Sequence, residues 1–180
     1  MLLDGSLNFV QPGAPLSLVA AAGVAVPSPN IIDLVGSGAG TPPGNYIGTR
    51  SVFGADTGLG DNRLLLACIV GTSFTTGNSA TLNVQFQGAV DQGSGGAYQP
   101  GSWITLVETG AIAVANLVSG KYIARFDWPP AFPAATLPRF LRLNFAVASA
   151  TNFTAGTIAF AGPTFIRDDI VFGAKNFTVA

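Results

Sequence analysis

Thr81-Leu82-Asn83-Val84-Gln85-Phe86-Gln87 alternates without a break between polar and apolar residues. A β-strand sends successive side chains to opposite faces, so Leu82, Val84 and Phe86 face a core while Thr81, Asn83, Gln85 and Gln87 face water. The same period runs through Arg139 to Val147, where Leu141, Leu143, Phe145 and Val147 oppose Arg142 and Asn144. It returns at Tyr122 to Trp128, where Tyr122, Phe126 and Trp128 oppose Arg125 and Asp127. Shorter runs at Leu16 to Ala20, Asn30 to Val35, Leu64 to Val70, Trp103 to Glu108, Ala111 to Ala115 and Thr157 to Ala161 add weaker strands.

The 23 glycines and 12 prolines among 180 residues are spread along the chain and interrupt almost every stretch that could hold a long helix. Short strands punctuated by turn residues, with no helical crossover, predict antiparallel sheets. The expected fold is one all-β domain over residues 1–180, an antiparallel jelly-roll-like β-sandwich with long Gly/Pro-rich loops and extended termini. Gly36 to Asn62 carries eight glycines and Pro42-Pro43. It is far longer than the ~12–15 residues at which an unstructured connection becomes uncommon. Gly88 to Gly101 is a shorter loop of the same kind. The stretch from Pro163 onward, with Phe165, Ile166, Ile170, Val171, Phe172 and Phe177, is too apolar for a free terminus and is expected to dock on something.

Eight basic and nine acidic residues leave a net charge of −1, and charged residues are only 9% of the chain, against about 25% in ordinary soluble proteins. So few ionic side chains cannot keep a whole surface dispersed in water, which implies that much of the outside is covered by other molecules. The lack of basic excess removes the electrostatic footprint of a nucleic-acid binder. The longest low-polarity stretch, Leu16 to Val26, is too short for the ~20 residues of a membrane-spanning helix.

Little in the chain carries chemistry. With no histidine, the Ser-His-Asp and Cys-His mechanisms lose their base, and the commonest transition-metal ligand is missing. The one cysteine, Cys68, sits in an apolar run and reads as a small packed hydrophobe. Glu108, the only glutamate, fits a solvent-facing or edge position, and adjacent Asp168 and Asp169 would leave an extended strand on opposite faces. Asp56, Asp61 and Asn62 match no strong metal spacing and read as turn residues. No catalytic residue, cofactor or metal is expected.

Three stretches together resemble a known family. Met1-Leu2-Leu3-Asp4-Gly5-Ser6-Leu7-Asn8-Phe9 is similar to the start of the cement proteins that decorate tailed-bacteriophage heads, of the Bordetella-phage type. Asn30 to Leu34 resembles that family's early strand, and Arg139 to Phe145, continued by Phe153 to Ile158, resembles its late hairpin. Gly36 to Asn62 departs from the pattern by its length. The resemblance implies a non-enzymatic jelly-roll subunit on the capsid exterior of the virion. It would usually be paired with a second copy, a homodimer before a trimer, and would tie neighbouring major capsid proteins together.

On that reading the contact surfaces are an N-terminal arm over residues 1–10, the loop over residues 36–62 and a C-terminal arm over residues 163–180. The residues expected to carry the contacts are Leu2, Leu3, Phe9, Tyr46, Phe53, Phe165, Ile170, Phe172 and Phe177. Residues 1–10 could instead complete the subunit's own sheets. An alternative function is a jelly-roll carbohydrate-binding adhesin of a virion, with Trp103 as the stacking residue.

Overall fold

In the computed structural model, residues 8–20, 22–34, 46–47, 50–51, 64–94, 99–127, 138–148 and 150–165 are described. In chain order the strands are β1 Leu16–Ser17, β2 Val26–Pro27, β3 Ile32–Asp33, β4 Tyr46–Ile47, β5 Arg50–Ser51, β6 Leu64–Val70 and β7 Thr75–Thr76. There follow β8 Thr81–Asp91, β9 Pro100–Glu108, β10 Ile112–Ala113, β11 Tyr122–Asp127, β12 Phe140–Val147, β13 Phe153–Ala155 and β14 Thr157–Phe165. Among the described residues there is no α-helix, only one 3-10 turn at Val114–Asn116.

One sheet has the order β1-β14-β6-β11 and the other β10-β8-β12-β2, with β9 also on β8 and β3 also on β12. Every pairing is antiparallel. The inner faces of the two sheets share one core, so the chain is an all-β protein built as a sandwich. Leu66, Cys68, Val70 and Ile158 come from the first sheet, and Leu82, Val84, Phe86, Leu141, Leu143 and Phe145 from the second. The apolar side of the alternation in β8 and β12 is realised, and Leu82, Val84 and Phe86 have no exposed surface. On the side expected to face water, Gln87 and Asn144 are buried as well, held by side-chain hydrogen bonds.

Local chemistry sets the departures from simple periodicity. A bulge between Tyr122 and Ala124 sets two steps of β11 against one step of β6, from Ile69 to Cys68. An extra residue reverses the face of everything before it. Tyr122, expected to point inward, is thus 46% exposed, while Ala124 and Phe126 are buried.

The strand expected at Thr157 to Ala161 continues to Phe165, paired with Leu64 to Leu66 through Phe165, Thr164 and Pro163. Pro163 tolerates this interior position because of what lies beside it. Ala161 donates to the Val10 carbonyl. Two residues on, the proline nitrogen faces the same side, where the Asn8 carbonyl is satisfied instead by Asn30 Nδ2 at 2.8 Å. The apolar C-terminal stretch therefore begins as a sheet strand, not as an arm leaving at residue 163. The other short strands also shifted. Val26–Pro27 was not foreseen, and the strand expected at Ala111 to Ala115 closes after two residues into the 3-10 turn.

Candidate functional site

Register alone sorts the connections of the sandwich between its two ends. At one end the strands are joined by tight turns: β6 to β7 at Gly71 to Phe74, β7 to β8 at Gly77 to Ala80, β9 to β10 at Thr109 to Ala111, and β13 to β14 at Gly156. Phe74 and Phe153 pack edge-to-face there with centroids 4.8 Å apart. Thr75 and Thr154 share a hydroxyl hydrogen bond of 2.8 Å, and Thr76 donates to the Asn152 carbonyl.

The opposite end collects the two longest connections, β3 to β6 and β11 to β12, with the β8 to β9 loop, while the eight-residue connections β1 to β2 and β10 to β11 stay at the tight-turn end. β3, β8 and β11 finish there on Asp33, Asp91 and Asp127, and the chain returns at Leu64, Pro100 and Phe140. The pairings Asp33↔Phe140, Phe140↔Ala89, Asp127↔Leu65 and Phe165↔Leu64 put these positions at the same end of their sheets. Strand β14 also finishes there. On the other side of β14, Leu16↔Ile158 and Val10↔Ala161 show that the chain, followed back to Asn8, heads toward that same end.

Arg139 ties this end together. Its Nε and Nη2 donate to both oxygens of Asp33, each at 2.9 Å, and its Nη1 donates to Asp91 Oδ2 at 2.8 Å. The fork is largely buried, with 11% of the arginine side chain exposed, and a planar guanidinium is the group suited to holding a carboxylate by two bonds. Asp91 Oδ1 meanwhile accepts the backbone N–H groups of Gly93 and Gln99, closing the mouth of the loop between β8 and β9. These bonds hold the Asp91 carboxyl below its usual range, the Gly93 amide first, then the Gln99 amide and Arg139.

Next to this clamp, the outer face of the second sheet carries a continuous polar network. Glu108 Oε2 accepts from Asn83 Nδ2 at 2.8 Å and Gln85 Nε2 at 3.1 Å. Gln85 Oε1 accepts from Asn144 Nδ2 at 2.8 Å and Gln87 Nε2 at 3.2 Å. Gln87 Oε1 accepts from Arg142 Nε at 2.9 Å, and the Arg142 guanidinium lies 4.1 Å from the centre of the Trp103 ring. The two amide hydrogen bonds lower the pKa of the exposed Glu108 carboxyl, Asn83 first. Among the described residues no three His, Cys, Asp or Glu gather to hold a metal, and no helix is long and apolar enough to cross a membrane. Cys68 is free and buried, and burial pushes its thiol far up, so it is inert while the core stays closed.

The residues expected to make external contacts divide. Phe9 is fully buried and meets Phe86 edge-to-face at 5.7 Å, and the Phe9 and Val10 amides bond the Ala161 carbonyl. Phe9 is thus part of the subunit's own core and offers no contact surface. The reason is that β14 needs a neighbour on that edge, and a phenylalanine there gains more from the adjacent core than from water. Tyr46 and Phe165 lie in the backbone pairings β4–β5 and β14–β6. Leu2, Leu3, Phe53, Ile170, Phe172 and Phe177 lie outside the described residues, as do Asp56, Asp61, Asp168 and Asp169.

Two features were not foreseen as a site. The wet-face alternation does mark Arg142 and Asn144, and Trp103 stands out as an aromatic beside a loop. Nothing in local sequence pairs Arg139 with acids 106 and 48 positions away. Compared with protein-family models and with curated proteins, the chain matches none.

Proposed function

We propose that this chain is a structural protein of the outer surface of a tailed-phage head, a jelly-roll sandwich that binds the major capsid protein and stabilises the shell by bridging neighbouring capsomers. The observation that carries the reading is that the two longest connections, β3 to β6 and β11 to β12, and both ends of the described chain leave from one end of the sandwich. Leu2 and Leu3 precede Asn8, Tyr46 and Phe53 lie between β3 and β6, and Ile170, Phe172 and Phe177 follow β14. Segments distant in sequence would then form one contact surface on a rigid base. The low charge supports this, because a surface covered by neighbours needs few ionic groups. So does the resemblance of the opening, early-strand and late-hairpin stretches to the phage cement proteins. A subunit that binds assembled shell but not separated capsid protein shifts the equilibrium toward the shell. It needs no cofactor and no nucleic acid, and its second partner is another copy of itself.

The test is co-sedimentation of the purified chain with heads assembled without it. Deleting residues 166–180, or replacing residues 36–62 with a short Gly-Ser linker, should weaken binding about tenfold or more, the effect of losing roughly 1.4 kcal/mol of contact. Thr75→Ala, at the tight-turn end, should leave it unchanged. An intact chain that fails to bind heads, or truncations that bind as well as the intact chain, would overturn the reading.

A further inference from the structure

Arg142 is held in place but its charge is not used. Its Nε is committed to Gln87 Oε1 at 2.9 Å and its plane stacks on Trp103. Among the described residues no group accepts a hydrogen bond from Nη1 or Nη2, and no carboxylate pairs with this arginine. The acids on neighbouring rows of the sheet are engaged elsewhere, Glu108 by Asn83 and Gln85, and Asp91 by Arg139, Gly93 and Gln99.

The contrast with Arg139, the residue just before the same strand, is direct: all three of its nitrogens serve Asp33 and Asp91. Partial burial even lowers the pKa of Arg142 through desolvation, a cost that no opposing charge offsets. The guanidinium is also pre-organised, since stacking and the Nε bond fix the fork before any partner arrives, which lowers the entropy lost on binding.

We propose that Arg142, stacked on Trp103 and flanked by the Asn144 and Gln87 amides, is a docking point for a carboxylate side chain of an acidic partner protein. Nη1 and Nη2 supply the two parallel donors that a carboxylate accepts. The half-buried Gln85 keeps one amide hydrogen beyond the bond described, for the partner's remaining acceptors. Three features favour a protein over an acidic sugar. The residues stand in register on β9, β8 and β12 as a row, Thr105↔Gln87↔Arg142, which makes a flat patch. Arginine and tryptophan are both enriched among the residues that carry most of the energy of protein interfaces. One face of the Trp103 ring is already occupied by the guanidinium, where a sugar would need to stack. The site rests on this patch alone and not on the head-surface reading, so the two can fail separately.

The experiment is a titration of the full-length chain with a penta-glutamate peptide at low salt, with penta-lysine and oligogalacturonate as the other arms. Trp103 is one of two tryptophans, so Trp128→Phe leaves its emission as the sole reporter. In the unmodified chain the Arg142 Nε–H NMR resonance gives the same reading without that substitution. The expected result is a saturable response to penta-glutamate only. It should weaken about tenfold in Arg142→Gln, as for loss of a charge-assisted bidentate pair, and less in Arg142→Lys, which keeps the charge without the fork. No response to penta-glutamate, an equal response in Arg142→Gln, or a response to oligogalacturonate alone would overturn the proposal.

Discussion

The two ends of the sandwich solve opposite problems with the same strands. At the tight end, turns of a few residues close on each other. Phe74 packs edge-to-face on Phe153, the Thr75 and Thr154 hydroxyls meet, and Gly156 adopts a φ of +139° directly beneath the Phe74 ring. At the other end, strands finish on Asp33, Asp91 and Asp127 and hand the chain to its long Gly- and Pro-rich connections, with Arg139 gripping two of those three acids. One end is held by shape and the other by charge. Apolar packing cannot be traded for contact with a partner without opening the core, whereas an ionic clamp fixes where the strands end without drawing on the core.

Substitutions should separate the two ends by size of effect. The largest is expected at the tight end. Phe153→Ala removes a fully buried ring and its partner contact with Phe74 and should cost about 3–5 kcal/mol in denaturant unfolding. Gly156→Ala comes next, because an added methyl would run into the Phe74 ring at a backbone angle that L-residues rarely adopt. Strain and overpacking together should cost about 2–4 kcal/mol. If either variant unfolds at the parental denaturant midpoint, the tight end is not the anchor described here.

Arg139→Met sharpens the comparison from the other side. It leaves Asp33 and Asp91 without their shared cation, and should lower stability by less than either tight-end substitution, because the acids remain partly exposed. Its signature is pH dependence. The folded Asp91 carboxyl lies below its ordinary 3.8, so its contribution is present above that value and is lost as pH falls through the lower folded value. In Arg139→Met one of the bonds that depress it is gone, so the folded carboxyl lies nearer its ordinary value and the acid loss should be smaller and complete at higher pH, and Asp91→Asn should abolish that part of the slope. A stability profile unchanged in both would remove Arg139 from the account.

The smallest effect concerns Ala150, a non-glycine residue at φ +60° in the tight-end turn. Ala150→Gly should relieve about 0.5 kcal/mol of left-handed strain after the added backbone entropy is subtracted. A loss of stability instead would mean that the alanine methyl packs there.

The core was readable where one strand has one wet face. β8 and β12 stand in the middle of their sheet, and their apolar positions report the core directly, but burial of Gln87 and Asn144 on the polar side was not legible because it depends on cross-strand partners. The alternation failed at Tyr122 because a bulge is a matter of register between two strands, and β11 alone does not carry that information. It failed at Val26–Pro27 because two residues are too few to show a period, and one of them is a proline paired through β12. Apolar character at the N-terminus was legible, but its destination was not. Phe9 could have met a partner or its own core, and only the vacancy beside Ala161 decides for the core. The same limit hid both arginine sites. Arg139 and Arg142 are three residues apart and alike in sequence, yet one faces two carboxylates and the other a tryptophan, because their cross-strand neighbours differ.

The most direct test of the two-ended account is an image reconstruction of head particles carrying this chain. The account predicts an external layer over capsomer junctions, with the end that bears Asp33, Asp91 and Asp127 turned toward the shell and the Phe74–Phe153 end pointing away. Particles with the orientation reversed, or with no such layer at saturating protein, would contradict it.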